Sequence, residues 1–267
     1  MKVFHYFFKY LLIISSFVFS FYGEAFERHQ IEESLYSSML GEQRQLIVSL
    51  PKNYSADKTK SYSVLYLLDP DKHMSHTISS LDYLNSYNIT PNLIIVGIVN
   101  KNRTRDFTPN KSKEKPELNA GGASRFLDFM ELELLPHIDK KYRTRNYKIF
   151  AGHSLGGLLV VNALLDKPFL FQAYFAYSPS LWWDKQVMEN KANVLIKNVK
   201  ELEGFLYINV GNESEKMTTA IHAFNELLGV NPPQKFQFKM ESLLEESHVT
   251  TPLVGQIAAL KALYKDW

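Results

Sequence analysis

The run Tyr147-Lys148-Ile149-Phe150-Ala151-Gly152-His153-Ser154-Leu155-Gly156-Gly157 decides the fold. Its first half is a short apolar stretch suited to a buried strand, and residues 155–165 carry apolar side chains at helical spacing. Between them stands a serine flanked by glycines, the form of a nucleophile elbow on a strand-to-helix turn. Gly152 and Gly156 permit a turn too tight for larger side chains, and a helix begun at Leu155 aims its first amides at a developing oxyanion. At ordinary frequencies of Gly and Ser, a bare G-x-S-x-G arises by chance in about one chain of this length in ten. The sequence around the elbow therefore has to carry the argument.

Moving outward, short runs rich in Val, Ile, Leu and Tyr at 45–50, 63–68, 93–99, 147–151, 172–176, 205–210 and 236–240 read as strands. Helical spacing marks 77–86, 123–141, 155–165, 214–228 and 252–264. Strands alternating with helices imply an α/β fold, a mostly parallel central sheet flanked by helices. Pro51 closes the first strand and places it at an antiparallel start of the sheet. Pro136 should kink the second helix or divide it in two. The polar stretch 100–120 has no regular period and reads as a long loop of the functional or mobile kind.

Composition sets the limits. Lys2 and Lys9 precede the apolar stretch 10–22, which is followed by Gly23, Glu24 and Ala25. Residues 1–25 read as a secretory signal peptide cut after Ala25, which implies an exported protein, periplasmic or secreted, with no stable membrane insertion after cleavage. Residues 26–267 suffice for one domain with a sizeable core. The chain has no cysteine, which excludes disulfides, thiol catalysis and cysteine-ligated metals. A net charge of +2 offers no strong field for nucleic acid, and Lys111, Lys113 and Lys115 alternate with Glu114 and Glu117 as in a solvated loop.

A serine hydroxyl attacks an ester only when a neighbouring base takes its proton, and on this kind of sheet the order is serine, acid, histidine. His222 and His248 follow Ser154. His222 falls within a helix, whereas His248 lies after the last strand in a loop leaning over the carboxyl edge, so His248 is the favoured base. His153 adjoins the serine and is expected to point elsewhere on the turn. The acid should follow the strand 205–210, where Glu213 and Glu215 compete and Glu213 stands nearer the strand end. Two amides are needed for the oxyanion: that of Leu155, and one from the Asp69-Pro70-Asp71 turn. Pro70 has no N–H, which leaves Asp71. Arg103 and Arg105 are candidates to pair an anionic substrate group, and Trp182 and Trp183 to stack a flat one.

With these residues placed, the chain resembles the putative-esterase (esterase D-like) family of α/β-hydrolases. The resemblance rests on Leu67-Leu68-Asp69, on 96–100 followed by Arg103, Arg105, Asp106, Phe107, Thr108 and Pro109, on Tyr142-Arg143-Thr144, and on Ser178-Pro179-Ser180-Leu181-Trp182-Trp183. It is most similar to the branch of bacterial siderophore esterases. The resemblance implies an α/β-hydrolase fold without a large lid domain and a serine esterase that needs no metal or other cofactor. It also implies a small-molecule ester as partner, such as the trilactone of a catecholate siderophore. The family commonly has glycine where this chain has Pro70. An acyltransferase or thioesterase using the same serine, and a non-catalytic siderophore-binding protein of the same fold, are the rival expectations.

Overall fold

The computed structural model describes residues 28–112 and 116–266. The expected signal peptide lies outside the described residues, as do parts of the 111–117 loop. Eight strands form one sheet: β1 (His29–Ser37), β2 (Glu42–Leu50), β3 (Tyr62–Leu68), β4 (Leu93–Ile98), β5 (Thr144–His153), β6 (Ala173–Tyr177), β7 (Glu201–Gly211) and β8 (Gln234–Leu243). Their spatial order is β1-β2-β4-β3-β5-β6-β7-β8. β1 and β4 pair with β2 antiparallel, and every other neighbouring pair is parallel. Elements keep the expected order, with three additions, one strand and two helices. β1 has an outward face of charged and polar residues, and its alternation is too weakly apolar to read as a strand in sequence.

The helices are α1 (Pro70–Ser86), α2 (Arg103–Phe107), α3 (Ala123–Phe129), α4 (Leu135–Lys141), α5 (Leu155–Asp166), α6 (Lys185–Asn198), α7 (Glu215–Val230) and α8 (Thr251–Leu263), with a 3₁₀ turn at Leu181–Asp184. A π-helical segment, Met130–Leu134, joins α3 to α4. Pro136 explains it. Proline cannot donate to the carbonyl four residues back and its ring crowds that carbonyl, so the helix widens just before it. α2 and α6 are the other two: α2 lies in the stretch 100–120 expected as a loop, and α6 is anchored by Met188, Ala192 and Leu195 at spacings of four and three.

Alternation along the central strands divides the core. Val64, Tyr66, Leu68 and Phe150 face the layer holding α5, while Leu65, Leu67, Ile149 and Ala151 face α1 and α8. The carboxyl ends of β3, β5, β6 and β7 thus share one edge, which the turns at Asp69, Ser154, Ser178 and Glu213 line. No large lid domain covers that edge among the described residues.

Candidate active site

β5 ends at His153 and α5 begins at Leu155, leaving Ser154 alone on the turn at φ 59°, ψ −118°. Few non-glycine residues adopt such a conformation, and its strain is characteristic of functional positions. The turn closes because Gly152 is bare: a Cβ there would stand 2.6 Å from the Gly156 backbone. Leu155 occupies the first position of α5, where amides lack partners within the helix. The Ser154 hydroxyl pairs with Ser180 Oγ at 3.3 Å, not with His248. Catalytic hydrogen bonds are often open before substrate binds.

Glu213 follows β7 in the turn before α7. Its side chain is 2% exposed, and Oε2 accepts from His248 Nδ1 at 2.9 Å. Oε1 accepts from the Ser178 hydroxyl and from the Gly211 amide. Burial by itself raises the pKa of this carboxyl. The hydrogen bonds from His248, Ser178 and Gly211 outweigh burial and hold it below the usual range, so the group stays ionised. Glu215, its competitor in sequence, opens α7 and is exposed, as is His222 on the same helix.

The His248 loop is docked onto the end of β7. The Asn212 amide donates to the Glu246 carbonyl at 2.7 Å, and the Thr251 hydroxyl donates to the His248 carbonyl at 3.1 Å. Close approach requires Gly211, since a Cβ there would stand 2.4 Å from Glu246 O.

His153 points elsewhere on the turn, as expected, and meets the His248 loop. Strand alternation puts it on the face of Ile149 and Ala151, turned toward α1 and α8, and its ring lies 4.5 Å from that of His248. Its Nε2 donates to the His248 carbonyl at 2.7 Å. Burial first, then the proximity of His248 and His73, lowers its pKa to about 3, so the ring is neutral. Beneath it His73 contacts His76, Nδ1 to Nε2 at 3.0 Å, and burial with nearby positive groups lowers the pKa of His73 to about 4.

The Asp69-Pro70-Asp71 turn meets the elbow from the other side. Asp69 adopts a left-handed conformation, φ 52°, and its carboxylate accepts from Asn100 and from Arg103 Nε at 2.9 Å. Pro70 packs on β4, where Gly97 leaves it room. Asp71 is exposed at the second position of α1, among the first-turn amides.

Arg103 also donates to the His153 carbonyl at 3.0 Å, with 30% of its side chain still exposed. Arg105 is committed elsewhere: it pairs with Glu42 and Asp106, and buried Arg44 pairs with the same two carboxylates. The long loop is thereby braced to β2, and α2 forms within it. Trp182 and Trp183 are half-buried on the 3₁₀ turn after Ser180, their rings 6.2 Å apart. Trp183 Nε1 donates to the Asn110 carbonyl, whereas Lys216 Nζ lies 4.6 Å from the Trp182 ring beside a cavity of about 440 Å³. Sequence reading named Asp69, Ser178, Ser180 and His153 but gave none of them the contact it makes here. Strand periodicity signalled one of those contacts, through the odd-numbered place of His153 on a strand whose odd residues face α1.

Known proteins place the chain as a whole. The family model described as Putative esterase matches residues 37–252. The chain belongs to that family. It is an ester hydrolase with an α/β-hydrolase-type fold. It is 30% identical over 256 residues to the ferri-bacillibactin esterase BesA of Bacillus subtilis, spanning 86% of this chain and 88% of the relative. A siderophore enterobactin esterase of Emericella nidulans is 38% identical over 85 residues, 31% of this chain and 28% of the relative. The solved IroE-like serine hydrolase from Shewanella oneidensis superposes with a TM-score of 0.82 at 31% identity, covering 89% of this chain and 81% of that one. The enterobactin and salmochelin hydrolase IroE shares the fold, with a TM-score of 0.70 at 20% identity over 90% of this chain and 96% of that one.

Proposed function

We propose that the protein cleaves the ester backbone of a siderophore through an acyl-enzyme, with Ser154 as nucleophile, His248 as base and Glu213 as the orienting acid. The observation that carries this reading is the 2.9 Å contact between Glu213 and His248 Nδ1. It directs the other ring nitrogen of His248 to take the serine proton and stabilises the imidazolium that results. The Ser154 hydroxyl leaves Ser180 for His248, gives up its proton and attacks the ester carbonyl. The oxyanion takes the amides of Leu155 and Asp71. Collapse breaks the ester bond, His248 protonates the departing alcohol, and water activated by the same histidine releases the acid.

Relatives named for ferri-bacillibactin and enterobactin support the substrate class. A partly exposed Arg103 and a half-buried Trp182 suit an anionic group and a flat one, both of which a catecholate carries. Export behind a cleaved segment 1–25 fits a protein that meets siderophores outside the cytoplasm. The test is a panel of trilactone siderophores, with and without iron, against feruloyl and short acyl esters. Trilactones should give the highest kcat/KM, and Ser154→Ala should abolish turnover and labelling by a fluorophosphonate. A Ser154→Ala enzyme that still hydrolyses esters would overturn the mechanism. A panel led by feruloyl esters would overturn the substrate.

A further inference from the structure

We propose that His153 is a positioning residue for the base: as a hydrogen-bond donor it clamps the His248 loop to the elbow and so holds His248 in register with Ser154. The inference rests on the assignment of Ser154 and His248 as nucleophile and base.

The His248 side chain is fixed at one end only, by Glu213, and its loop spans 244–250 between β8 and α8. Two donors secure the His248 carbonyl, Thr251 Oγ1 at 3.1 Å and His153 Nε2 at 2.7 Å. Thr251 tethers the turn to Ser178 and Asn209, at the ends of β6 and β7. His153 tethers it to β5. His153 is the residue before Ser154, on the sheet's central strand, so its bond ties the base to the nucleophile's own backbone. A carbonyl can only accept, which fixes the single proton of this neutral ring on Nε2. The ring contact at 4.5 Å adds a second restraint on His248.

The clamp is itself anchored. Arg103 donates to the His153 carbonyl and to Asp69 together, tying the elbow to the turn before α1. His73 packs edge-on against the far side of the His153 ring, 5.5 Å between centroids. The result is one connected path from the oxyanion turn through the elbow to the base.

The experiment compares four variants on a chromogenic short-chain ester, with kcat and KM measured separately. His153→Phe keeps a ring and removes the donor. His153→Gln keeps a donor of similar reach. Displacing a catalytic group by about 1 Å costs on the order of a hundredfold in rate, so His153→Phe should lose about tenfold to a hundredfold in kcat with KM within about threefold. His153→Gln should recover about half or more of the lost activity on a logarithmic scale. If His153→Phe does not fold, His153→Asn, whose amide falls short of the carbonyl, takes its place with the same expected loss. Wild-type kcat in the donorless variant, or equal losses in it and in His153→Gln, overturns the clamp. Ser154→Ala and His248→Ala run alongside. Activity retained in either sinks the underlying assignment, whereas activity lost in both and kept in His153→Phe sinks the clamp alone.

Discussion

Glu213 keeps a negative charge where water hardly reaches, and it does so with three donors: His248 Nδ1, the Ser178 hydroxyl and the Gly211 amide. Replacing it with Gln preserves shape and removes the charge that stabilises a protonated His248. In serine hydrolases with such a triad, losing that charge costs about 10⁴ in kcat, so Glu213→Gln should fall by that order while binding substrate nearly as before. Steady-state kinetics with a chromogenic ester checks it, and a loss below about tenfold would mean that Ser178 and Gly211, not charge, position His248. The pairing of Glu213 with His248 was legible because the order serine, acid, histidine along the chain follows from the fold. The roles of Ser178, His153 and Asp69 were not, because each acts through a contact 34 to 95 residues away. Arg105 shows the same limit: an arginine in a polar loop carries no sign in sequence that Glu42, on a distant strand, pairs with it.

At the scale of elements, the site depends on how closely the β8–α8 loop lies on the end of β7. Gly211 sets that distance. A methyl group there would collide with Glu246 O and with the Thr251 side chain, 2.7 Å away, neither of which is the free end of a flexible chain. Gly211→Ala should therefore shift the loop that carries His248, lowering stability by about 1–3 kcal/mol and kcat by about tenfold or more. Denaturant melts and kinetics on the same preparation measure both, and an unchanged kcat would show that the loop tolerates displacement. The elements legible in sequence are those with both faces buried, such as β3, β4 and β5, whose apolar runs are continuous. β1 escaped because an edge strand needs only one apolar face, and Glu33 and Ser37 fill buried positions on it. α6 escaped because, among its described side chains, Met188, Ala192 and Leu195 alone are buried, within a polar segment.

Across the whole molecule, the chain of imidazoles His76, His73 and His153 makes folding sensitive to acid. Burial, the largest cause in each, lowers all three pKa values, to about 4 for His73 and about 3 for His153. Unfolded, each histidine titrates near its ordinary value of about 6.5. Above that value neither state binds the proton and the stability they permit is fully present. As pH falls below it the unfolded chain takes up protons that the native rings refuse, and stability declines toward the folded values. Each proton contributes a slope of about 1.4 kcal/mol per pH unit at most. Between pH 6.5 and 5 the urea midpoint should therefore drop steeply, with about two to three protons taken up on unfolding. Glu213, lowered in the folded state, adds its own loss only at lower pH, through the carboxylate range. Replacing His73 with Gln removes one proton from the upper window. Its midpoint should fall less steeply from pH 6.5 to 5 than that of the wild type, by about one proton's slope. A wild-type midpoint that is flat across this window would show that the buried imidazoles accept protons without unfolding.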